Sequence, residues 1–468
     1  MRRVSYWVSA TLALVLLLSS GQASAQSDKK GFEKFDDFVG RTKATGFDPA
    51  KHKAANPTAF EEMRKHVLKL YEGAKVTHSF TTGSQTYDCM PIDQQPAVRL
   101  HGLKRVEAAP PAAAPARGAG AAGADGAGAQ SGQAATAIFP KGADAFGNTI
   151  GCEDKTVPIG RTTLEEISRF PTLRAFLGKG PDGKGQAPLV DASEPGKPSA
   201  ALTDSLTTTL TDGFVPPSPV LHKYNVTRQW VYNLGGSSTI SINNPYVYTP
   251  WGEVFSLSQV WFAGYGSAGI QTVEAGWQVY PQRTGDEQPH LFGYYTADAY
   301  NTTGCYDYGC GAFVQYSGSV YLGAAFSPVS VPGGGQWEAA IKYEWWYGNW
   351  WLQVGSEWVG YYPGWLFGSG EMATHSTRAD FGGEIVGGSG TSYNYYPPMG
   401  SGQWGTSGWT WAAYQRQIWY FDSGWGTHQA SLGAMSNSCP GGTSTIGPTY
   451  GGSDWQIYFF FGGPAGWC

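Results

Sequence analysis

Short aromatic runs broken by glycine fill the C-terminal half of this 468-residue chain. From Leu221 onward, segments such as VFSLSQVWFAG, IQTVEAGWQVYP and AAIKYEWWYG are separated by Gly, Pro, Asn and Ser, and 18 of the 19 tryptophans lie here. Runs of this length and composition are typical of strands, and no helical pattern separates them. Residues 221–468 are therefore predicted to form an all-β sandwich or barrel, with most tryptophans packed inside it.

The first 25 residues have the pattern of a secretory signal peptide. Arg2 and Arg3 precede an apolar run from Val8 to Leu18, and small residues end the segment at Ala25. The apolar run is shorter than the roughly 20 residues that span a bilayer, so cleavage after Ala25 is favoured over a membrane anchor. We expect a secreted product, extracellular or periplasmic in transit, with no membrane association after cleavage.

Two changes of composition divide the remaining sequence. Residues 26–177 are mixed, with a helical pattern in AFEEMRKHVLKLYEG and an Ala/Gly/Pro-rich insertion at 107–137. Residues 178–220 are rich in Gly, Pro, Ser and Lys at their start, and we expect them to be a linker and the region of proteolytic cleavage. A smaller mixed α/β domain is thus predicted to precede the all-β domain at 221–468.

The six cysteines can all pair in an oxidising compartment. Many pairings are possible, but position along the chain favours Cys89 with Cys152, Cys305 with Cys310, and Cys439 with Cys468. The chain has no C-x-x-C motif, so structural zinc and thiol redox chemistry have little support.

Charge is unevenly divided between the two halves. Residues 221–468 contain six basic and fourteen acidic residues. A nucleic-acid partner is therefore not expected, because phosphate binding requires a basic surface. A sparsely charged, acidic domain is suited to low pH.

Two common hydrolase motifs are missing from the C-terminal half. Its four histidines are not arranged as H-E-x-x-H, and Ser267 is preceded two places earlier by Tyr265 rather than by the glycine of a nucleophile elbow. A triad built from scattered residues is left open. Carboxylates are the better candidates, with no metal or cofactor indicated.

Two glutamates lie in strand-like runs with glycine beside them. In VEAGWQV, alternation places Glu274, Gly276 and Gln278 on one strand face and the apolar residues on the other. In FGGEIVGG, Glu384 follows two glycines and lies opposite Ile385, which can pack inward. Glycine within a strand often marks close approach of a ligand or another backbone. On these residues alone, each glutamate is either catalytic or simply solvated on a sheet face.

The motifs of the chain resemble those of the neprosin family. Segments of the C-terminal half occur in the family's order: SLSQVWF, VEAGWQVYP, YYTADAYNTTGCYDYGCGAFVQ, GNWWLQVG, VGYYPGWLF, FGGEIVGG, PPMGSGQW and YFFFGGPAGWC. Upstream, TYDCMPIDQQPAV and CEDKTVPIGRTTLEEI resemble the two cysteine-bearing signatures of the family's activation domain. The resemblance covers nearly the whole chain.

This resemblance implies a glutamic peptidase with a β-sandwich of two antiparallel sheets at 221–468 and an activation prodomain at 26–177. The EAGW and GGE motifs place the catalytic pair at Glu274 and Glu384. Three residues depart from the family pattern: Phe381 replaces a usual tryptophan, and Pro289 and His290 replace a common Thr-Arg. These changes are expected to bear on the substrate cleft, and so on the cleavage after proline that plant members prefer.

Two carboxylates in one cleft imply an acid–base mechanism on protein or peptide substrates. Like charges resist joint ionisation, so the ionised glutamate would activate water while the protonated one donates to the scissile group at acidic pH. Which glutamate has which role stays open at this point. Gln259 and Gln278 are candidate donors to the developing oxyanion, or else ordinary hydrogen-bonding residues of the sheet.

The N-terminal half is expected to act as an inhibitor of its own enzyme. Carboxylates facing this more basic half would be protonated as the pH falls, which would weaken the contact and open the cleft before cleavage in the linker. Two alternatives use the same features differently: a glycoside hydrolase with paired carboxylates, or a lectin-like β-sandwich whose tryptophans stack on sugars.

Overall fold

The computed structural model describes residues 32–103, 106, 110–111, 134–136, 139–180, 221–387, 389–390 and 393–468. The signal peptide predicted at 1–25 lies outside these residues. So do most of the predicted insertion at 107–137 and residues 181–220 of the predicted linker. Lys34–Cys468 form one compact unit.

The N-terminal region is small and of mixed α/β structure, as predicted. Its elements are α1 (Phe35–Ala44), α2 (Pro57–Tyr71), β1 (His78–Thr82), β2 (Gln85–Pro91), α3 (Pro96–His101), β3 (Ala135–Thr136), β4 (Thr156–Gly160), α4 (Leu164–Ile167) and α5 (Leu173–Leu177). Helix α2 begins where the Asn56 side chain accepts a hydrogen bond from the Ala59 N–H at 2.9 Å, and it buries Phe60, Met63 and Val67 along one face. Strands β1, β2 and β4 form an antiparallel sheet beside the helices.

Strands make up most of the region from residue 221. They are β5 (Leu221–Asn233), β6 (Gly235–Ser241), β7 (Glu253–Gly266), β8 (Gly269–Val279), β9 (His290–Thr296), β10 (Cys305–Tyr306), β11 (Val314–Gln315), β12 (Trp337–Trp346), β13 (Asn349–Val354), β14 (Glu357–Pro363), β15 (Ser376–Gly387), β16 (Ser389–Gly390), β17 (Tyr393–Tyr396), β18 (Ala413–Phe421), β19 (Thr427–Gln429), β20 (Ser436–Asn437), β21 (Ser444–Tyr450), β22 (Ile457–Gly462) and β23 (Gly466–Trp467). Short helices are α6 (Pro281–Thr284) and α7 (Gly452–Trp455), with 3₁₀ turns at Thr249–Trp251, Gly364–Phe367, Glu371–Ala373 and Gly405–Ser407.

Two large sheets form a β-sandwich, which confirms the predicted fold class. The seven-stranded sheet has the order β10-β9-β8-β7-β15-β5-β20. The ten-stranded sheet has the order β11-β14-β13-β12-β6-β18-β22-β21, with β19 on β18 and β3 on β12. The pairing of β3 with β12 is parallel, whereas the other pairs of both sheets are antiparallel.

Alternation gives the seven-stranded sheet two different faces. Trp277 of β8 points to the other sheet, where its indole nitrogen donates to the Ser241 carbonyl at 2.8 Å. Gly383 of β15 lies against the Phe461 ring, and a Cβ at this position would lie 2.4 Å from that ring. Because successive residues of a strand point to opposite faces, the two predicted catalytic glutamates face away from the sandwich core.

The six cysteines form three disulfides, in the pairing expected from their positions: Cys89–Cys152, Cys305–Cys310 and Cys439–Cys468. The first lies within the N-terminal region and the other two lie within residues 221–468. No disulfide therefore ties one region to the other. Within the described residues, no helix is both long and apolar enough to cross a membrane.

Candidate active site

Glu274 and Glu384 share one face of the seven-stranded sheet. Strand β7 lies between their strands and pairs with both, so that Trp261 is opposite Glu274 and Leu257 is opposite Glu384. Both glutamates are 0% exposed. A carboxylate in such a place needs partners, because an uncompensated buried charge costs several kcal/mol.

The ammonium group of Lys179 bridges the two carboxylates. Its Nζ lies 2.5 Å from Glu274 Oε2 and 2.8 Å from Glu384 Oε2, and Lys179 is itself 0% exposed. The same nitrogen lies over the rings of Trp261 and Tyr300, at 5.2 and 5.9 Å from their centroids. A cation from the N-terminal region thus occupies the space between the two glutamates.

Glu384 has further partners from its own sheet. His222 Nδ1 lies 2.5 Å from Oε1, and Gln259 Nε2 donates to Oε2 at 3.1 Å. Ring contacts fix the imidazole: it stacks on Tyr224 with centroids 6.3 Å apart and meets Phe255 edge-on at 6.1 Å. Glu384 can therefore keep these donors without Lys179.

Glu274 is held by neutral hydroxyl groups. Its Oε1 accepts hydrogen bonds from Tyr300 at 2.7 Å and from Thr272 at 2.8 Å. Tyr343 donates to the Glu274 backbone carbonyl at 3.1 Å, which fixes the strand from the sandwich side. Its Oε2 accepts from Lys179.

The ion pairs set the pKa values at the site. Burial raises the pKa of Glu384, but Lys179 and His222 lower it more, so it lies below its usual range. Burial lowers the pKa of Lys179, but the two carboxylates raise it more, so the lysine stays charged. Burial and Glu274 raise the pKa of Tyr300 well above 10.0, which keeps its hydroxyl a donor.

Carbonyl groups of the C-terminal region hold the chain that leads to Lys179. The Arg174 guanidinium donates to the Thr303 and Gly304 carbonyls, both at 3.1 Å. Arg169 donates to the Arg283 carbonyl at 3.2 Å. Among the described residues, the ion pairs that link the N-terminal region to residues 221–468 are the two made by Lys179.

The two predicted glutamine donors have different surroundings. Gln259 lies beside the pair, on Glu384. Gln278 instead donates to the Tyr306 hydroxyl at 3.0 Å and is not brought to the carboxylates. Glycine at position 276, between Glu274 and Gln278, is explained by backbone approach: a Cβ there would lie 1.9 Å from the Ser258 carbonyl oxygen of β7.

The residues that depart from the family pattern lie away from the carboxylate contacts. Phe381 packs edge-on against Phe262 at 6.3 Å, in the core of the sandwich. His290 is held by Asp286 Oδ1 at 2.7 Å and by the Gly323 carbonyl at 2.6 Å. We find neither residue among the contacts of Glu274 or Glu384.

The contact residues of the pair that the sequence did not predict include Lys179, His222, Thr272 and Tyr300. Thr272 could have been found, since alternation puts it on the face of Glu274. Lys179 falls in the predicted linker, because composition alone made residues 178–220 look like one segment. His222 was treated only as a member of a metal motif, and Tyr300 lies in an irregular loop.

A comparison with protein families matches the C-terminal region. Residues 252–464 match the family model described as Neprosin. This range contains both glutamates and most of the sandwich strands.

Solved peptidase structures are similar to about half of the chain. One is a scytalido-glutamic peptidase with a peptide-based transition-state analogue: 9% identity, 53% of this chain and 100% of that chain, TM-score 0.26. Another is SCP-B, a member of the eqolisin family of peptidases, with the tripeptide Ala-Ile-His: 9% identity, 52% and 98% coverage, TM-score 0.25. At this identity and TM-score we transfer nothing from them. The family match and the ordered motifs together show a neprosin domain at residues 252–464, and with it a glutamic peptidase.

Proposed function

We propose that this chain is the secreted precursor of an acid-acting glutamic endopeptidase, kept latent by residues 32–180, here called the prodomain. The observation that carries the proposal is the Lys179 ammonium between two buried carboxylates. A water molecule and a scissile carbonyl would have to occupy that space for catalysis. The three disulfides and the signal-peptide pattern support secretion.

The surroundings of the two glutamates favour different roles once Lys179 has left. Glu384 keeps His222 and Gln259 as donors, which favour its ionised form. Glu274 keeps only hydroxyl partners, and its Oε2 becomes available. Because two nearby carboxylates titrate as a coupled pair, Glu384 is the better general base and Glu274 the better general acid.

The reaction then needs only these two groups and a water molecule. Glu384 takes a proton from the water while the water oxygen attacks the scissile carbonyl carbon, which forms a tetrahedral intermediate. Glu274 gives its proton to the departing nitrogen as the C–N bond breaks. Proton exchange with solvent restores the starting state, with Glu384 ionised and Glu274 protonated.

Acid would release the block through the catalytic pair itself. The pKa of Glu384 is lowered while the prodomain is docked, so the docked state binds fewer protons at Glu384 than the released state. Docking therefore weakens as the pH falls from the usual carboxyl pKa of 4.5 towards the lowered pKa of Glu384. Asp286, which accepts a hydrogen bond from Ser84 of the prodomain at 2.8 Å, has a pKa of about 2 and stays ionised over this range. Cleavage between residues 178 and 220 would complete the release.

Protein and peptide substrates follow from the family, and cleavage after proline is the preference we propose to examine first. The secreted full-length chain is shifted from neutral to acid pH and mixed with a denatured protein and, separately, with a polysaccharide. New peptide termini support the peptidase, and their sequences reveal any proline preference. New reducing ends, or retention on the polysaccharide alone, would instead support the carbohydrate-active alternatives.

Isosteric variants test the two roles. We expect Glu274→Gln and Glu384→Gln each to lower kcat by about 10²–10⁴-fold, as for loss of a general acid or base. Glutamine at 274 can still donate a hydrogen bond, so this variant keeps more activity and loses the basic limb of the pH profile, whereas Glu384→Gln loses the acid limb. The exposed Glu357→Gln is the matched control. Near-normal turnover in either test variant would place catalysis elsewhere.

A further inference from the structure

The side chain of Arg283 has contacts in the cleft that the proposed mechanism does not use. Its guanidinium carbon lies 4.2 Å from the Tyr306 ring centroid and 5.6 Å from that of Tyr280. Both tyrosines belong to residues 221–468, here called the catalytic region. On its other side it lies 4.5 Å from the Phe176 ring of the prodomain, and its terminal nitrogen donates to the Phe176 backbone carbonyl. One residue of the prodomain is thus recognised by both its ring and its carbonyl.

The position of Phe176 relates this contact to the catalytic pair. Phe176 lies in the last turn of helix α5 and precedes Lys179 by three residues, so the two Cα atoms lie at most about 10 Å apart. On the enzyme side, the Tyr306 hydroxyl accepts from Gln278, four residues beyond Glu274 on the same face of β8, or about 13 Å along the strand. Both distances correspond to about three or four residues of an extended peptide, so we place the Phe176 contact about three residues from the scissile bond.

Release of the prodomain would leave this contact without its ligand. Phe176 is 5% exposed and Tyr280 and Tyr306 are at most 1% exposed while the prodomain is docked. The Nε atom of Arg283 is buried and has no hydrogen-bond partner among the described residues. A peptide residue with a large apolar side chain and a free backbone carbonyl would restore both contacts.

We propose that Arg283, Tyr280 and Tyr306 form a substrate subsite that selects an aromatic or large aliphatic residue about three positions from the cleaved bond. The proposal rests on the peptidase function proposed above. The guanidinium stacks on the side chain and donates to that residue's carbonyl, while the two tyrosine rings lie against the guanidinium and hold it in place. Phe176 then acts in the precursor as a stand-in for this substrate residue.

The acid-activated full-length protein is tested on a peptide library derived from digested proteins, with the cut sites identified by mass spectrometry. In the wild type we expect Phe, Tyr or Leu to be enriched at one position two to four residues from the cut. Two peptides that differ only there, Phe against Gly, then give kcat/KM ratios. We expect a ratio of about ten in the wild type, mainly through KM, and a ratio near one in Arg283→Gln.

Two variants control for effects on folding. Arg283→Lys keeps the charge but loses the planar group, so its ratio should fall between those of the wild type and Arg283→Gln. Lys342→Gln removes another cation stacked on an aromatic ring, 4.2 Å from Trp358 in the ten-stranded sheet, and should leave the ratio unchanged. A third variant, Phe176→Ala, changes only the prodomain and should shift activation to higher pH.

The outcomes separate this proposal from the function on which it rests. A wild-type protein that cuts peptides without any aromatic or aliphatic enrichment overturns the subsite and leaves the peptidase standing. The same holds if Arg283→Gln keeps the wild-type ratio. A wild-type protein that cuts no peptide at acid pH overturns the proposed function, and the subsite with it.

Discussion

Two of the contacts between the prodomain and the catalytic region differ in their chemistry. At one, Lys179 is charged, fully buried and held by two carboxylates. At the other, His66 of helix α2 meets the loop closed by the Cys305–Cys310 disulfide, with its Nε2 2.7 Å from the Gly309 carbonyl oxygen. In the proposed precursor, the first contact would block catalysis, whereas the second would only hold the prodomain in place.

The two contacts respond to acid in different pH ranges. Burial lowers the pKa of His66 from 6.5, so the docked state binds fewer protons there and docking weakens as pH falls below about 6.5. The pKa of Glu384 is lowered from 4.5, so its contribution is lost only in more acid solution. The arginine contacts with backbone carbonyls do not titrate in either range. The contrast predicts that acid loosens the prodomain first and opens the catalytic pair afterwards.

The largest effect is expected from Lys179→Met, which removes the cation and keeps much of the side-chain volume. Removing one partner from a buried ion pair costs about 3–5 kcal/mol, because the remaining charge is left uncompensated. Docking should weaken by about 10²–10⁴-fold. We expect peptidase activity without an acid pulse, measured on a short fluorogenic peptide at the mildest pH at which the mature wild type is active.

Lys75→Met is a matched control for this variant, since Lys75 belongs to the same region but makes no ion pair among the described residues. If Lys179→Met stays latent until acid treatment, Lys179 does not have the inhibitory role proposed for it. Intact mass measured together with activity shows whether opening precedes cleavage of the linker.

The sequence predicted the sandwich and the faces of its strands because period-two alternation is a local property. Glu274 and Glu384 were located by their motifs and by the glycines beside them. Their partners could not be predicted, because Lys179 and His222 reach Glu384 only after strands far apart in the sequence have paired. Lys179 in particular has no local signal: a lysine between two glycines looks like linker until the fold buries it.

A smaller effect is expected from removing the Cys305–Cys310 disulfide by a double alanine substitution. This bridge joins residues 5 positions apart, whereas Cys89–Cys152 joins residues 63 positions apart. From the loss of chain entropy in the unfolded state, we expect the short bridge to contribute about 2 kcal/mol to the free energy of unfolding and the long one about 4 kcal/mol. We expect the free energy of unfolding to fall less than in a Cys89→Ala/Cys152→Ala variant, as measured by denaturant titration. Activation should nevertheless move to higher pH, since the loop carries the carbonyl that His66 contacts. Equal losses of stability in the two double variants would contradict the entropic argument.

The smallest effect, and the most informative about staged release, is expected from His66→Gln. Glutamine can still donate to the Gly309 carbonyl, but it cannot take up a proton. Two charged neighbours also act on His66: Lys69 lowers its pKa and Glu62 raises it.

In His66→Gln, docking no longer weakens between about pH 6.5 and the pH range in which carboxylates titrate. The pH of half-activation should therefore fall by a few tenths of a unit. His78→Gln is the matched control, because His78 also contacts a backbone carbonyl, that of Thr149 at 2.7 Å, but within the prodomain, so it should leave the half-activation pH unchanged. The measurement is the fraction of protein with a cleaved linker after a fixed time at a series of pH values, determined by intact mass and compared with the wild type under the same conditions. An unchanged or higher half-activation pH in His66→Gln would leave the carboxylate pair as the sole acid sensor, and the two contacts would then open together.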